Sequence, residues 1–308
     1  MSALTEVASD LHFPEGPIAL PDGSVIVVEM LGPRLTRVLP DGTTATIAEI
    51  PGGPNGAAIG PDGAVYLCNN GGCFTDLVLD GRHYPGPWSA DRYIGGRIQR
   101  VDLETGEVTD LYTECDGWPL RAPNDLVFDQ HGGLYFTDHG YADLESRTAH
   151  QTGIHYAAAD GSAIREVVFP AASPNGIGLS PDGATLYWAE TMNGRLMQRE
   201  VTAPGEVAPA AFDASNCLYG FSGLQLLDSL AVDSAGNVCV GTLVNGGVSV
   251  VSPEGELVEF VPVDDMLCTN ICFGGDDLST AYITASSTGR LLQADWPRPG
   301  APLSYLNT

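Results

Sequence analysis

Basic residues are scarce in this chain: thirteen Lys and Arg stand against thirty-nine Asp and Glu among 308 residues, a net charge of −26 at neutral pH. Such a balance repels phosphate backbones and anionic surfaces, so neither nucleic acid nor membrane is expected as a partner. The surplus of carboxylates suits solubility or the binding of cations. Long apolar runs are missing as well. No stretch of about 18 apolar residues occurs, and MSALTEVASDLHF at the start has neither the basic nor the apolar segment of a secretory leader. The expectation is a cytoplasmic protein. Cysteine is present but not in pairs: seven at irregular spacings (Cys68, Cys73, Cys115, Cys217, Cys239, Cys268, Cys272) read as reduced thiols, with no CxxC zinc pattern. Cys239 and Cys272 lie in alternating apolar runs and are expected in the core. A Gly-rich phosphate loop, a Ser-His-Asp ordering and a GxSxG elbow are all absent, which leaves nucleophilic serine hydrolysis without support. What is there is a hydrophobic content of 44%, ample for a large core.

The sequence repeats itself in its turns. FPEGPIALPDGSVIVVE, residues 13 to 29, is echoed by NGAAIGPDGAVYLCN from Asn55, NDLVFDQHGGLYFTD from Asn124, NGIGLSPDGATLYWAE from Asn175, DSLAVDSAGNVCVGT from Asp228 and NICFGGDDLSTAYIT from Asn270. Each copy is a polar residue, an alternating run, a turn of the Pro-Asp-Gly kind and a β-branched or aromatic run, which is the pattern of a β-hairpin. The lead residues at 15, 55, 124, 175, 228 and 270 are separated by 40, 69, 51, 53 and 42 positions. Between them lie further strand-like pieces with their own turns, such as Arg34 to Leu39, Arg97 to Asp102 and Gly247 to Val251. Two hairpins per unit and no long helical periodicity predict one all-β domain over residues 1–308. The fold expected is a six-bladed β-propeller with four-stranded antiparallel blades around a central channel. Residues 4 to 8 are placed as the outer strand of the last blade, formed by Asp264 to Trp296. The long step after Asn55 sits in residues 71–96, a stretch rich in Gly, Pro and aromatics that reads as an ordered insertion capping a pocket.

In a propeller the first strand of every blade lines the channel, so Glu15, Asn55, Asn124, Asn175, Asp228 and Asn270 converge as a ring of oxygen donors. Asn and Asp before Gly also serve as ordinary turn-tolerant residues at strand starts, but Glu15 does not fit that role. Two carboxylates on the axis repel each other unless a cation neutralises them. Carboxylate and carboxamide oxygens form a hard-cation site, pointing to one divalent cation, Ca²⁺ foremost, with Mn²⁺, Mg²⁺, Zn²⁺ and Fe²⁺ also compatible.

The sequence resembles the regucalcin (senescence marker protein), gluconolactonase and luciferin-regenerating-enzyme family. The resemblance covers nearly the whole chain and rests on Phe13 to Pro17, Arg121 to Asp125, Ser173 to Ile177, Asp228 to Asp233 and Thr269 to Gly275. It implies a six-bladed propeller with a divalent cation on the axis, held by Glu15, Asn124, Asn175 and Asp228. Asn55 and Asn270 then belong to the pocket wall. The family usually follows its last ligand with glycine, whereas this chain has Asp228-Ser229.

The resemblance also implies an arginine on substrate hydroxyls or the departing carboxylate, and Arg121 stands in that place; a guanidinium fork suits a sugar acid. Asp228 is read as ligand and as general base toward an attacking water, or as ligand only. Asp125 either orients Asn124 or caps its own turn. Trp88 and Tyr93 in the insertion, with Tyr141, offer an apolar wall, and His139 is placed at the pocket edge. His83, His139, His150 and His155 lack ligand spacing, which speaks against a histidine-driven mechanism. The activity expected is metal-dependent opening of a sugar lactone such as gluconolactone or xylonolactone, by a monomer or weak homo-oligomer. The alternatives are a diisopropyl-fluorophosphatase-like phosphotriester hydrolase and a calcium-binding propeller without turnover.

Overall fold

The computed structural model describes residues 3–210 and 216–308, and no α-helix occurs among them. The strands form six sheets in a ring. Blade I is Pro14–Ala19, Val25–Glu29, Arg34–Val38 and Thr44–Glu49; blade II is Pro54–Ile59, Val65–Asn69, Arg97–Val101 and Val108–Tyr112. Blade III is Pro123–Phe128, Gly133–Asp138, Thr152–Ala158 and Ile164–Ala171; blade IV is Pro174–Leu179, Thr185–Glu190, Arg195–Ala203 and Cys217–Gly220. Blade V is Leu227–Val232, Val238–Thr242, Gly247–Val251 and Leu257–Pro262. Blade VI takes Cys268–Gly274, Thr280–Ala285 and Arg290–Asp295 from the end of the chain and Thr5–Ala8 from its beginning, with Thr5 opposite Gln293 and Glu6 opposite Leu292. This closure is the one expected from the sequence, and it leaves no long unpaired edge where the ring meets itself.

Each second strand is pressed between its blade's first and third strands, with neighbouring blades on both faces. Hence its sequence is a continuous apolar run (VIVV, VYLC, LYF, LYW, VCV) and its residues are buried. Outer strands such as Thr44–Glu49 are largely exposed to solvent. The core divides in the same way: six apolar clusters occupy the six blade-to-blade interfaces, for example Ile26, Leu35 and Leu67 between blades I and II and Tyr135, Ile154 and Trp188 between III and IV. Cys239 and Cys272 belong to two of these clusters, and all seven cysteines are unpaired.

The hairpin turns account for much of the acidic composition. Asp22, Asp62, Asp129, Asp182, Asp233 and Asp277 each accept a backbone N–H two residues ahead, at 2.8 to 3.2 Å. These short side chains replace a backbone partner where the chain reverses. Three small hairpins interrupt the repeat, Asp76–Leu79 with Arg82–Pro85, Glu114–Cys115 with Trp118–Pro119, and Ala142–Asp143 with Thr148–Ala149. The first lies inside the expected insertion; the other two were not foreseen.

Candidate metal and substrate site

The six lead residues all start inner strands, and all are buried. Four follow a proline at the first strand position, where the missing N–H costs the ladder nothing. At the lead residue of every blade the register between first and second strands slips, as at a bulge. Bulges of this kind re-aim side chains.

The glycines after three lead residues act through packing more than through turn conformation. Only Gly16 has a positive φ, of 47°. A Cβ on Gly56 would stand 2.3 Å from Asp125 Oδ1 and 2.7 Å from the Asn124 carbonyl, and one on Gly176 would stand 2.6 Å from the Leu230 nitrogen. Inner strands of blades II and III, and of IV and V, therefore approach backbone to backbone. Ser229, at the place where the family carries glycine, is fully buried and donates its hydroxyl to Asn175 Oδ1 at 3.5 Å.

Two carboxylates of the ring sense each other. Burial, and then the charge of Asp228, raise the Glu15 carboxyl well above the usual glutamate range, while a hydrogen bond from Thr269 opposes the shift. Burial pushes Asp228 up to about 7 despite its hydrogen bond with Asn175. Asp125, one residue past the ring in blade III, is also pushed up to about 7 by burial; its Oδ1 accepts the Leu126 N–H at 2.8 Å. Asp125 thus caps its own backbone and faces Gly56 of the blade before it.

Hydrogen bonding within the ring is incomplete. Glu15 Oε2 and Asn124 Oδ1 are buried acceptors without a partner. Asn175 donates from Nδ2 to Thr191 Oγ1 at 3.2 Å, Asn270 Oδ1 accepts from the Ile271 N–H at 2.8 Å, and Asn55 donates to Met30 Sδ at 3.7 Å. Buried acceptors left bare and carboxylates left uncompensated are costly, and both deficits are of the kind a cation removes. The donors are all oxygens, so the residues present suit a hard divalent ion. Among the described residues no group of three or more His, Cys, Asp or Glu side chains is gathered to hold a metal, so the fit depends on the carboxamides.

A second set of polar residues supports the ring and was not singled out from the sequence. The second strands of blades I to IV end on Glu29, Asn69, Asp138 and Glu190, all buried. Each reaches the segment leading into its own inner strand. Glu29 accepts from the His12 N–H at 2.7 Å and Asn69 from the Gly53 N–H at 2.9 Å. Asp138 accepts from Arg121 and Ala122, both at 2.7 Å, and Glu190 from the Ala172 N–H at 3.2 Å. The signal was visible: each apolar run VIVV, VYLC, LYFT and LYWA stops on a carboxylate or carboxamide.

The insertion crosses the face on which the inner strands begin. Its hairpin reaches blade VI, where the His83 N–H donates to the Ser287 carbonyl at 2.9 Å, and the His83 ring stacks on His12 at 5.6 Å. Further along, Tyr93 donates its hydroxyl to the Arg121 carbonyl at 2.6 Å. Trp88 stacks parallel on Tyr141 at 5.2 Å and Tyr93 leans against the same ring at 4.9 Å. The Arg121 guanidinium forms no hydrogen bond or ion pair with the described residues; burial raises the pKa of the neighbouring Asp138, and the Arg121 charge only partly opposes that rise. His139 follows the second strand of blade III and donates from Nδ1 to the Gly140 carbonyl at 3.0 Å; burial lowers its pKa and keeps it neutral. His155 stacks on Phe136 at 5.0 Å within blade III and is a core residue.

The sequence pattern of the SMP-30/gluconolactonase/LRE-like region matches residues 13–287, nearly the whole ring. This chain belongs to that family. A gluconolactonase of Zymomonas mobilis is 24% identical over 91% of this chain and 78% of its own length. A lactonase, drp35, of Staphylococcus saprophyticus is 29% identical over 76% of this chain and 64% of its own. In shape, a gluconolactonase from Xanthomonas campestris superposes with a TM-score of 0.74 at 20% identity, covering 96% of this chain and 89% of that one. A calcium-binding regucalcin from Agrobacterium tumefaciens superposes at 0.73 with 19% identity, covering 97% and 94%. These superpositions support the shared propeller fold.

Proposed function

We propose that this chain is a divalent-metal-dependent lactonase that opens a sugar lactone to its hydroxy acid. Family membership and relatives named as lactonases support the reaction class. The observation that favours a metal is the pair of bare buried acceptors, Glu15 Oε2 and Asn124 Oδ1, beside the strained carboxylate pair. Glu15, Asn124, Asn175 and Asp228 would hold the ion, with Ca²⁺ the best match to an all-oxygen set. A bound divalent cation would polarise the ester carbonyl and acidify water.

The remaining chemistry falls to the chain. Asp228 accepts the proton of the water that attacks the carbonyl carbon; the ring C–O bond breaks, and the proton passes to the leaving alkoxide to give the hydroxy acid. Arg121, free to turn toward the mouth, binds substrate hydroxyls and the carboxylate that forms. Asn55 and Asn270 hold polar edges of the substrate, while Trp88, Tyr93 and His139 give the pocket a side wall.

The test is a lactone panel followed by a pH indicator on chelated protein resupplied with Ca²⁺, Mn²⁺, Zn²⁺ or Fe²⁺, with a phosphotriester run alongside. Lactone turnover restored by one cation, and lost in folded Glu15→Gln and Asp228→Asn, is expected. Turnover of the phosphotriester alone, wild-type rates in both variants, or calcium binding with no turnover would overturn it.

A further inference from the structure

The channel does not end at the ring. Beyond it lies a cavity of about 510 Å³, walled by the later halves of the six inner strands, each giving an apolar side chain: Ile18, Ile59, Phe128, Leu179, Leu230 and Phe273. Of the six lead residues only Asn270 reaches this space, so the cavity faces the opposite side of the propeller. Its floor is the C-terminal tail. That tail is pinned beneath blades V and VI by three backbone bonds: Ser234 N–H to the Pro299 carbonyl at 2.8 Å, Gly300 N–H to Leu278 at 2.9 Å, and Ala301 N–H to Val232 at 2.9 Å. It then crosses the opening, and Tyr305 meets Phe128 edge-on at 5.7 Å under blade III. Leu303 and Leu306 face the chamber from this strap.

A tail that served only as a plug would fill the shaft, because apolar walls lining open space forgo dispersion contacts on one side. This one spans the shaft and leaves a volume within the range of small-molecule sites, about 300–1,000 Å³. Polar residues also line the space, and its carboxylates are engaged by the protein: Asp125 accepts the Leu126 N–H, Asp129 the His131 and Gly133 N–H groups and the Tyr156 hydroxyl, and Asp182 the Ala184 N–H and the Ser180 hydroxyl. The chain's charge of −26 disfavours an anionic guest. We infer that this chamber is a second binding site, taking a compact, uncharged, apolar small molecule from the face opposite the metal ring.

The probe is the neutral fluorophore N-phenyl-1-naphthylamine, titrated into the full chain with and without chelator. One saturable site is expected, with the same affinity after chelation and in Glu15→Gln. Ala231→Phe, which fills the chamber, is expected to weaken binding at least tenfold. Leu303→Glu does the same by placing a charge at the doorway; because Leu303 is 43% exposed, that variant folds even where Ala231→Phe does not. Absence of saturable binding, an unchanged affinity in Leu303→Glu, or loss of binding on chelation or in Glu15→Gln would overturn the assignment. The last two of these would move the probe to the ring and leave the lactonase reading untouched.

Discussion

Ser286 donates its hydroxyl to the carbonyl oxygen of Pro14 at 2.6 Å, tying the last complete blade to the residue just before Glu15. The same hydroxyl lies 2.5 Å from Thr269 Oγ1, and Thr269 in turn bonds the Glu15 carboxyl. Ring closure and the placement of a proposed ligand thus share one short chain of hydroxyls. Ser286→Ala leaves a buried carbonyl without its donor, at a cost of about 1–3 kcal/mol. A lower midpoint in urea, together with weaker calcium binding by calorimetry, is expected. A variant with wild-type calcium affinity would separate the closure from the site.

Acidity provides a second test. The folded-state pKa of Asp228 is about 7 against an ordinary aspartate value of 3.8, and Glu15 is raised in the same direction. Between the two values the folded protein holds protons that the unfolded chain has released. Stability of the cation-free protein is therefore present at the acid side and falls as pH rises through about 7. His139 and His155, both lowered by burial, act oppositely and only below their ordinary value of 6.5. Melting temperatures of chelated protein are expected to drop between about pH 4 and about pH 7, more gently below 6.5 where the histidines oppose, and Ca²⁺ is expected to restore more at the upper end. A flat profile, or a slope just as steep in the double variant Glu15→Gln, Asp228→Asn, where Asp125 and Asp138 still titrate in the same sense, would contradict the carboxylate pair.

The hairpins and the closing strand could be read from the sequence because turn chemistry and alternation are local signals: PDG between apolar runs says the same thing wherever it occurs. The rank of Glu15 was legible for the same reason, through the repeat. The role of Asp138 was not: the apolar run ending on a carboxylate is visible, but what it binds appears only when Arg121 and Ala122 are seen to point their N–H groups at it. The tail residues Leu303 and Leu306 were equally mute. Nothing local marks a segment that returns under three blades, and the chamber it floors exists only in the closed ring. The hairpins at 114–119 and 142–149 escaped because two-residue strands carry no period.

Glycine offers a contrast between space and conformation. Gly56 sits where an added Cβ would collide with Asp125 and the Asn124 backbone, while Gly63 has a φ of 77° with nothing within 4 Å of its would-be Cβ. Gly63→Ala pays only the left-handed backbone, roughly 1–2 kcal/mol. Gly56→Ala must push two inner strands apart beside the ring, and overpacking of that kind costs about 3 kcal/mol or more. Urea unfolding of the two variants should rank them in that order, with lactone turnover lost in Gly56→Ala alone. Equal destabilisation would mean that the blades do not approach as closely as described.

Asp138 stands one step behind the proposed chemistry. Its carboxylate accepts the backbone N–H groups of Arg121, Ala122 and, at 3.2 Å, Gly140, and so fixes the segment that delivers both Arg121 and Asn124. Burial raises its pKa, while these backbone donors and, less, the Arg121 charge oppose the rise. In Asp138→Asn one acceptor oxygen becomes an NH₂ group facing a backbone donor, so a hydrogen bond is replaced by a repulsion. The expected loss is about 2–4 kcal/mol of stability. Because the segment carries a substrate contact and a cation ligand together, KM for the lactone and the cation concentration for half activity should rise in parallel. Excess cation would then recover only part of the rate. Full recovery at saturating cation would confine the role of Asp138 to Asn124, and an unchanged KM in a variant with normal cation affinity would remove it from the site altogether.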